Sequence, residues 1–154
     1  MIYIIISFIL ILVDQYTKYI ARMTLSGGTV VGFIPKVIDF VYVENRGAAF
    51  GILQNSRYFL AVLTVIILLV LVLYIKKAKI KHPLFLISAS LVFAGGIGNL
   101  IDRLALGYVT DFIHFMFFDF PCFNIADVCV CVGAAMIVIY LLFINEYKGE
   151  NDGR

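Results

Sequence analysis

The sequence predicts an all-α membrane protein with four transmembrane helices and a small outer-face β-sheet subdomain between helices 1 and 2. Three observations carry this. Of 154 residues, 63% are hydrophobic and only 14% are charged, whereas a soluble domain is about 45–50% apolar and about 25% charged. The mean hydropathy is +1.04. Four apolar runs, about residues 2–20, 58–75, 83–106 and 123–144, each approach the ~20 residues that cross a ~30 Å hydrocarbon core as a helix. Runs such as Val62–Leu71 do not alternate, as the strands of a membrane barrel must. Backbone groups in lipid have to be satisfied within the segment, which leaves helices.

In the first run no Lys or Arg precedes Lys18, and no small-residue cleavage site follows at the right distance. It therefore reads as a retained helix and not as a secretory signal. The loop after it, about residues 21–57, has turn signals at Ser26-Gly27-Gly28 and Ile34-Pro35-Lys36. The β-branched and aromatic stretches Thr29–Val31 and Val37–Glu44 read as short strands, which predicts a small sheet at the membrane surface. The loop Lys76–His82 carries four lysines, and the loop Gly107–Cys122 carries no Lys or Arg. The Lys/Arg bias places the first of these in the cytoplasm and the second outside. With four spans, both termini are then cytoplasmic, in keeping with Lys148 and Arg154. Arg22, Lys36, Arg46 and Arg57 in the first loop do not help this count, but Asp39 and Glu44 accompany them. Residues 1–154 are expected to form one domain, with a disordered tail over 146–154. No basic face interleaved with aromatics appears, so nucleic acid is not an implied partner.

Against this apolar background the polar residues stand out. A charge at bilayer depth costs about 2.5–3.5 kcal/mol on insertion scales, which makes Asp111 and Asp127 candidate functional groups. Two carboxyls that meet can share a proton and do acid–base work. Asp14 and Lys18 are four apart and share a helix face. Asn99, Asp102 and Arg103 share another, just after Gly95-Gly96-Ile97-Gly98, whose small residues allow close helix approach. Asn124 and Asp127 begin the fourth run, and Glu44–Gly51 closes the first loop. All these groups fall at one depth, the outer membrane–water interface. Plainer roles compete. Asp127 could simply face a helix dipole, Asp111 could cap a turn, and Asp14–Lys18 and Asp102–Arg103 could be structural pairs. His114 sits in an interfacial aromatic run. Cys122, Cys129 and Cys131 lack zinc-site spacing and read as small apolar fillers.

Four blocks carry a likeness to a known family: Asp14-Gln15-Tyr16-Thr17-Lys18; Asn45-Arg46-Gly47-Ala48-Ala49-Phe50-Gly51; Gly95-Gly96-Ile97-Gly98-Asn99-Leu100-Ile101-Asp102-Arg103; and Val109-Thr110-Asp111-Phe112 with Phe123-Asn124-Ile125-Ala126-Asp127. In this order the chain resembles the lipoprotein signal peptidases (signal peptidase II), which are bacterial membrane aspartyl endopeptidases. The resemblance implies that Asp111 and Asp127 are the catalytic pair. It implies a prolipoprotein substrate whose cysteine carries a diacylglyceryl group, cut on the N-terminal side of that cysteine, with no metal or organic cofactor. The residues expected to bind substrate or support the site are Asp14, Lys18, Asn45, Gly47, Asn99, Asp102, Arg103, Asn124 and Ala126. Two positions depart from many members: Phe120 stands where Trp often precedes the proline, and Val128 where Ser often follows the second aspartate. A monomer in contact with membrane lipid is expected. The competing functions are a small proton-coupled transporter, whose site would sit near the midplane of an internal repeat, and a membrane scaffold.

Overall fold

The computed structural model describes residues 1–48 and 52–144. The Ala49–Gly51 part of the second block and the expected tail lie outside the described residues. Among the described residues, four helices have the length and composition of membrane spans: α1 (Ile2–Leu25), α2 (Arg57–Lys77), α3 (Pro83–Ala105) and α4 (Ile125–Ile139), the last together with its continuation to Ile144. The last continues as a π-helical turn, Tyr140–Ile144. Their outer faces are lined with exposed Ile, Leu, Val and Phe, as lipid-facing helices require.

Helix α3 is the centre. It packs on α4, α1 and α2. Small residues allow this: a Cβ at Gly95 would run into the Ala126 backbone carbonyl, and one at Gly133 would lie 2.7 Å from the Ser88 carbonyl oxygen. The two backbones touch where side chains would otherwise hold them apart. At the other end of the pair, Tyr140 and Phe85 meet edge to face, with centroids 5.1 Å apart.

Three strands form an antiparallel sheet in the order β1 (Val31–Ile34), β2 (Ile38–Asn45), β3 (Val109–Phe115). This corrects the expectation that the sheet belongs wholly to the segment between helices 1 and 2. Its third strand comes from the segment between α3 and α4, where the sequence suggested only a loop. Val109-Thr110-Asp111-Phe112 is buried throughout, so it has no polar–apolar alternation to mark it as a strand. It becomes one by pairing with β2, as in Val43 opposite Asp111 and Asn45 opposite Val109. The sheet rests on the last turns of α1, where Ala21 and Leu25 pack on Phe112, Phe40 and Tyr42. That packing explains why α1 runs on past the expected apolar stretch to Leu25. The α2–α3 loop with its lysines lies at the opposite end of the bundle from the sheet, since each connection that feeds a strand leaves α1 or α3 at its C-terminus.

Candidate active site

The N-terminus of α4 is tied down first. Asn124 is its N-cap: the side-chain Oδ1 accepts from the Asp127 N–H at 3.0 Å, and the Asp127 Oδ2 accepts from the Asn124 N–H at 3.1 Å. This reciprocal capping box satisfies two orphan donors. A third, the Ala126 N–H, donates to the Asp14 Oδ1 of α1 at 2.9 Å. Ala126 is fully buried, and the Gly98 position faces both its Cβ and the Asp14 carboxyl. A small side chain at 126 is therefore a steric condition of the junction.

Asp14 also accepts from Lys18 at 2.9 Å, the expected i,i+4 pair. Lys18 is 0% exposed. It lies 3.5 Å from the Asp102 Oδ2 and donates to the Asn99 Oδ1 at 2.9 Å. Asp102 accepts from the Thr110 N–H at 3.0 Å, which fixes β3 to α3. Asp102 and Arg103, weighed as a structural pair, do not form one. Asp102 pairs with Lys18 and with Arg22, while Arg103 donates to the Gly47 carbonyl at 3.3 Å. Neighbouring residues of a helix point about 100° apart, so the two serve different sides of α3.

Asp111 and Asp127 meet through this frame. The Asn124 Nδ2 donates to the Asp111 Oδ1 at 2.7 Å, and the Asn45 Nδ2 donates to the Asp111 Oδ2 at 2.9 Å. The Asn99 Nδ2 donates to the Asp127 Oδ1 at 2.7 Å. Each amide is oriented by its other end. The Asn45 Oδ1 takes the Gly47 N–H, the Asn124 Oδ1 takes the Asp127 N–H, and the Asn99 Oδ1 takes Lys18. These donors cannot accept, so every NH2 is forced toward a carboxyl. Asp111, on β3, is 1% exposed. Burial above all, and then the neighbouring Asp127 charge, lift its pKa to about 7, against the hydrogen bonds from Asn45 and Asn124.

Asp127 lies at the polar end of a groove of about 570 Å³, with Asp111 buried behind the lining. Asn45, Asn99, Arg103 and Asp127 line one side, and Phe115, Phe123, Val128 and Val132 make it apolar elsewhere. Phe115, Phe117, Phe118, Phe120 and Phe123 form a cluster of ring contacts, one pair stacked and the others tilted, that includes part of the groove wall, so Phe120, the departure from Trp noted above, joins an aromatic cluster. Val128 is 43% exposed and faces the groove. His114 stands opposite Asp39 in the sheet. Among the described residues no group of three or more His, Cys, Asp or Glu side chains could hold a metal ion.

The residues expected to form or support the site thus join one hydrogen-bonded network. Sequence reasoning missed two contributors. Gln15 donates to Asp14, Asp102 and the Gly98 carbonyl, and Arg22 donates to Thr110 at 3.0 Å. Arg22 is four residues beyond Lys18, which was the available signal. Gln15 is three residues before Lys18, an i,i+3 spacing on the same side of α1, and that was its signal.

Comparison with known proteins gives a consistent result. Residues 6–143 match the family described as signal peptidase (SPase) II. The lipoprotein signal peptidase of Symbiobacterium thermophilum is 36% identical over 97% of this chain and 99% of its own length. That of Streptococcus thermophilus is 41% identical over 92% and 90%. Two bacterial membrane enzymes solved by the in meso method superpose on the chain. One has a TM-score of 0.87 at 39% identity, covering 91% of this chain and 87% of that one. The other has 0.84 at 38%, covering 93% and 94%.

Proposed function

This chain belongs to the signal peptidase II family, a membrane-embedded protease family, and on that footing we propose that it is an aspartyl endopeptidase whose catalytic pair is Asp111 and Asp127. The observation that carries this reading is the meeting of two carboxyls, one from a buried strand and one from a helix start, with oriented amide donors on both. Asp111 feels the Asp127 charge, and two carboxyls sharing one site do not both ionise cheaply, so one retains a proton. The ionised member takes a proton from a water that attacks the scissile carbonyl. The protonated member hydrogen-bonds the carbonyl oxygen and then protonates the leaving amine. The couple titrates as a unit.

The substrate is a prolipoprotein whose cysteine bears a diacylglyceryl group, cut on the N-terminal side of that cysteine. The groove supports this. Its apolar stretch suits a helical signal peptide and acyl chains, and its polar end, with Arg103 and Asn45, suits the peptide backbone and ester. Water reaches such a site from the interface while the acyl chains stay in lipid. The topology that fits has the sheet and site outside, with the lysine loop and both termini in the cytoplasm. The transporter reading loses ground because its polar groups should lie near the midplane of a repeat, and here they lie beside the sheet.

The test is direct. Purified protein is incubated with a diacylglyceryl-modified precursor peptide and with its unlipidated form, and the products are mapped by mass. Cleavage of the lipidated form alone, one bond before the modified cysteine, is the expected result. Cleavage elsewhere, or none, overturns the assignment.

A further inference from the structure

The buried cation Lys18 has no part in the chemistry just described, yet it is fully enclosed. The groups facing it are Asp14 from its own helix, Asn99 and Asp102 from α3, and behind these the Ala126 N–H of α4 and the Thr110 N–H of β3, which hold the two carboxyls. Arg22 reaches Asp102 from the same side. Charge balance alone would be met by the carboxylates. The ammonium's third donor goes instead to the Asn99 Oδ1.

That bond has a consequence for Asp127. The two ends of an Asn amide have nearly the same shape, so packing cannot tell them apart, and only their hydrogen-bond partners can. Asn99 stands between a group that only donates, Lys18, and a carboxyl oxygen of Asp127 at 2.7 Å. Turned over, it would set NH2 against the ammonium and Oδ1 against the carboxyl. Building on the peptidase reading, we propose that Lys18 is a positioning residue, which fixes the Asn99 amide so that its NH2 points at Asp127. Asn124, which also donates to the Asn99 Oδ1, does so at 3.2 Å and without a formal charge, so it is the weaker orienter.

A double-mutant cycle tests this in the full-length protein with the lipidated precursor. Lys18→Met is made together with Asp14→Asn, which keeps the buried charge balanced and leaves an amide oxygen for the Ala126 N–H. Asn99→Ala is made alone and on top of that pair. If Lys18 acts through Asn99, the charge-balanced pair loses about tenfold or more in kcat, as befits a hydrogen bond to a charged group. KM should hold. The triple variant should then be no slower than Asn99→Ala alone. Losses that multiply, a loss carried by KM in place of kcat, or a charge-balanced chain that does not fold would make Lys18 a folding element only, and the inference falls. Failure of the peptidase reading itself is distinct, since the unmodified protein would then leave the precursor uncut.

Discussion

At the scale of single residues, two carboxyls and their amide donors decide the outcome. Asp111→Asn and Asp127→Asn each keep the shape and one of the two hydrogen bonds that the carboxyl accepts. Each should therefore leave the protein folded and inserted while lowering precursor cleavage by about three orders of magnitude or more, in line with the loss of a general acid–base. Substantial turnover by either variant would remove that residue from the pair. The pH dependence follows from Asp111, whose pKa is raised from 3.8 to about 7. A proton lost as pH climbs through about 7 removes the acid from the couple, so activity should fall on that side. Asn45→Ala removes a bond that favours the ionised form, so the alkaline limb should move to higher pH, as a rate profile would record. Stability has the same sign. Between pH about 4 and 7 the folded chain binds a proton that the unfolded chain has released, so rising pH weakens the fold over that window. Much of this was legible in the sequence, because charged and amide residues are costly in an apolar chain and betray themselves. The partners were less so. A structural pair of Asp102 with Arg103 was one reading the sequence left open, and Asp102 is instead held by Lys18 and Arg22, a choice made by the surroundings of each helix face.

At the scale of elements, α3 and α4 are held at backbone contact, and the site inherits its precision from that contact. Gly95→Ala would push a methyl into the Ala126 carbonyl, with the Val130 side chain 2.7 Å away. Overpacking of this kind costs about 1–3 kcal/mol. The variant should melt at a lower temperature in detergent micelles. It should also lose activity, because the displaced residue adjoins Asp127. An unchanged melting point would show that the helices can slide apart at no cost. The helices were readable from run length alone, and the glycine block announced a close approach. The strand β3 was not. A buried strand shows no alternation, and its partner β2 lies more than sixty positions away in the chain. Only pairing distinguishes Val109–Phe115 from a loop, and pairing is a property of two segments together.

At the scale of the whole molecule, polarity is segregated. The carboxylates of the described residues gather toward the sheet, and Lys76, Lys77, Lys79 and Lys81 lie at or near the opposite loop. A cysteine placed at Lys79 in a chain whose three native cysteines are replaced by alanine should resist membrane-impermeant maleimide in intact cells and react once the cells are opened. Labelling in intact cells would invert the topology. The bias of basic residues that predicts this orientation is plain in the sequence, whereas the groove between the helices is not, because it exists only after they pack. The described network also draws on distant parts of the chain: Asp14 and Lys18 come from the first span, Asn45 from the segment that follows it, Asp111 from a later strand and Asp127 from the last span. A ribosome building this polypeptide thus threads most of it into the bilayer before the second carboxyl arrives. On the proposed function, the nascent protein would stay inert toward its neighbours until its fourth helix has been delivered.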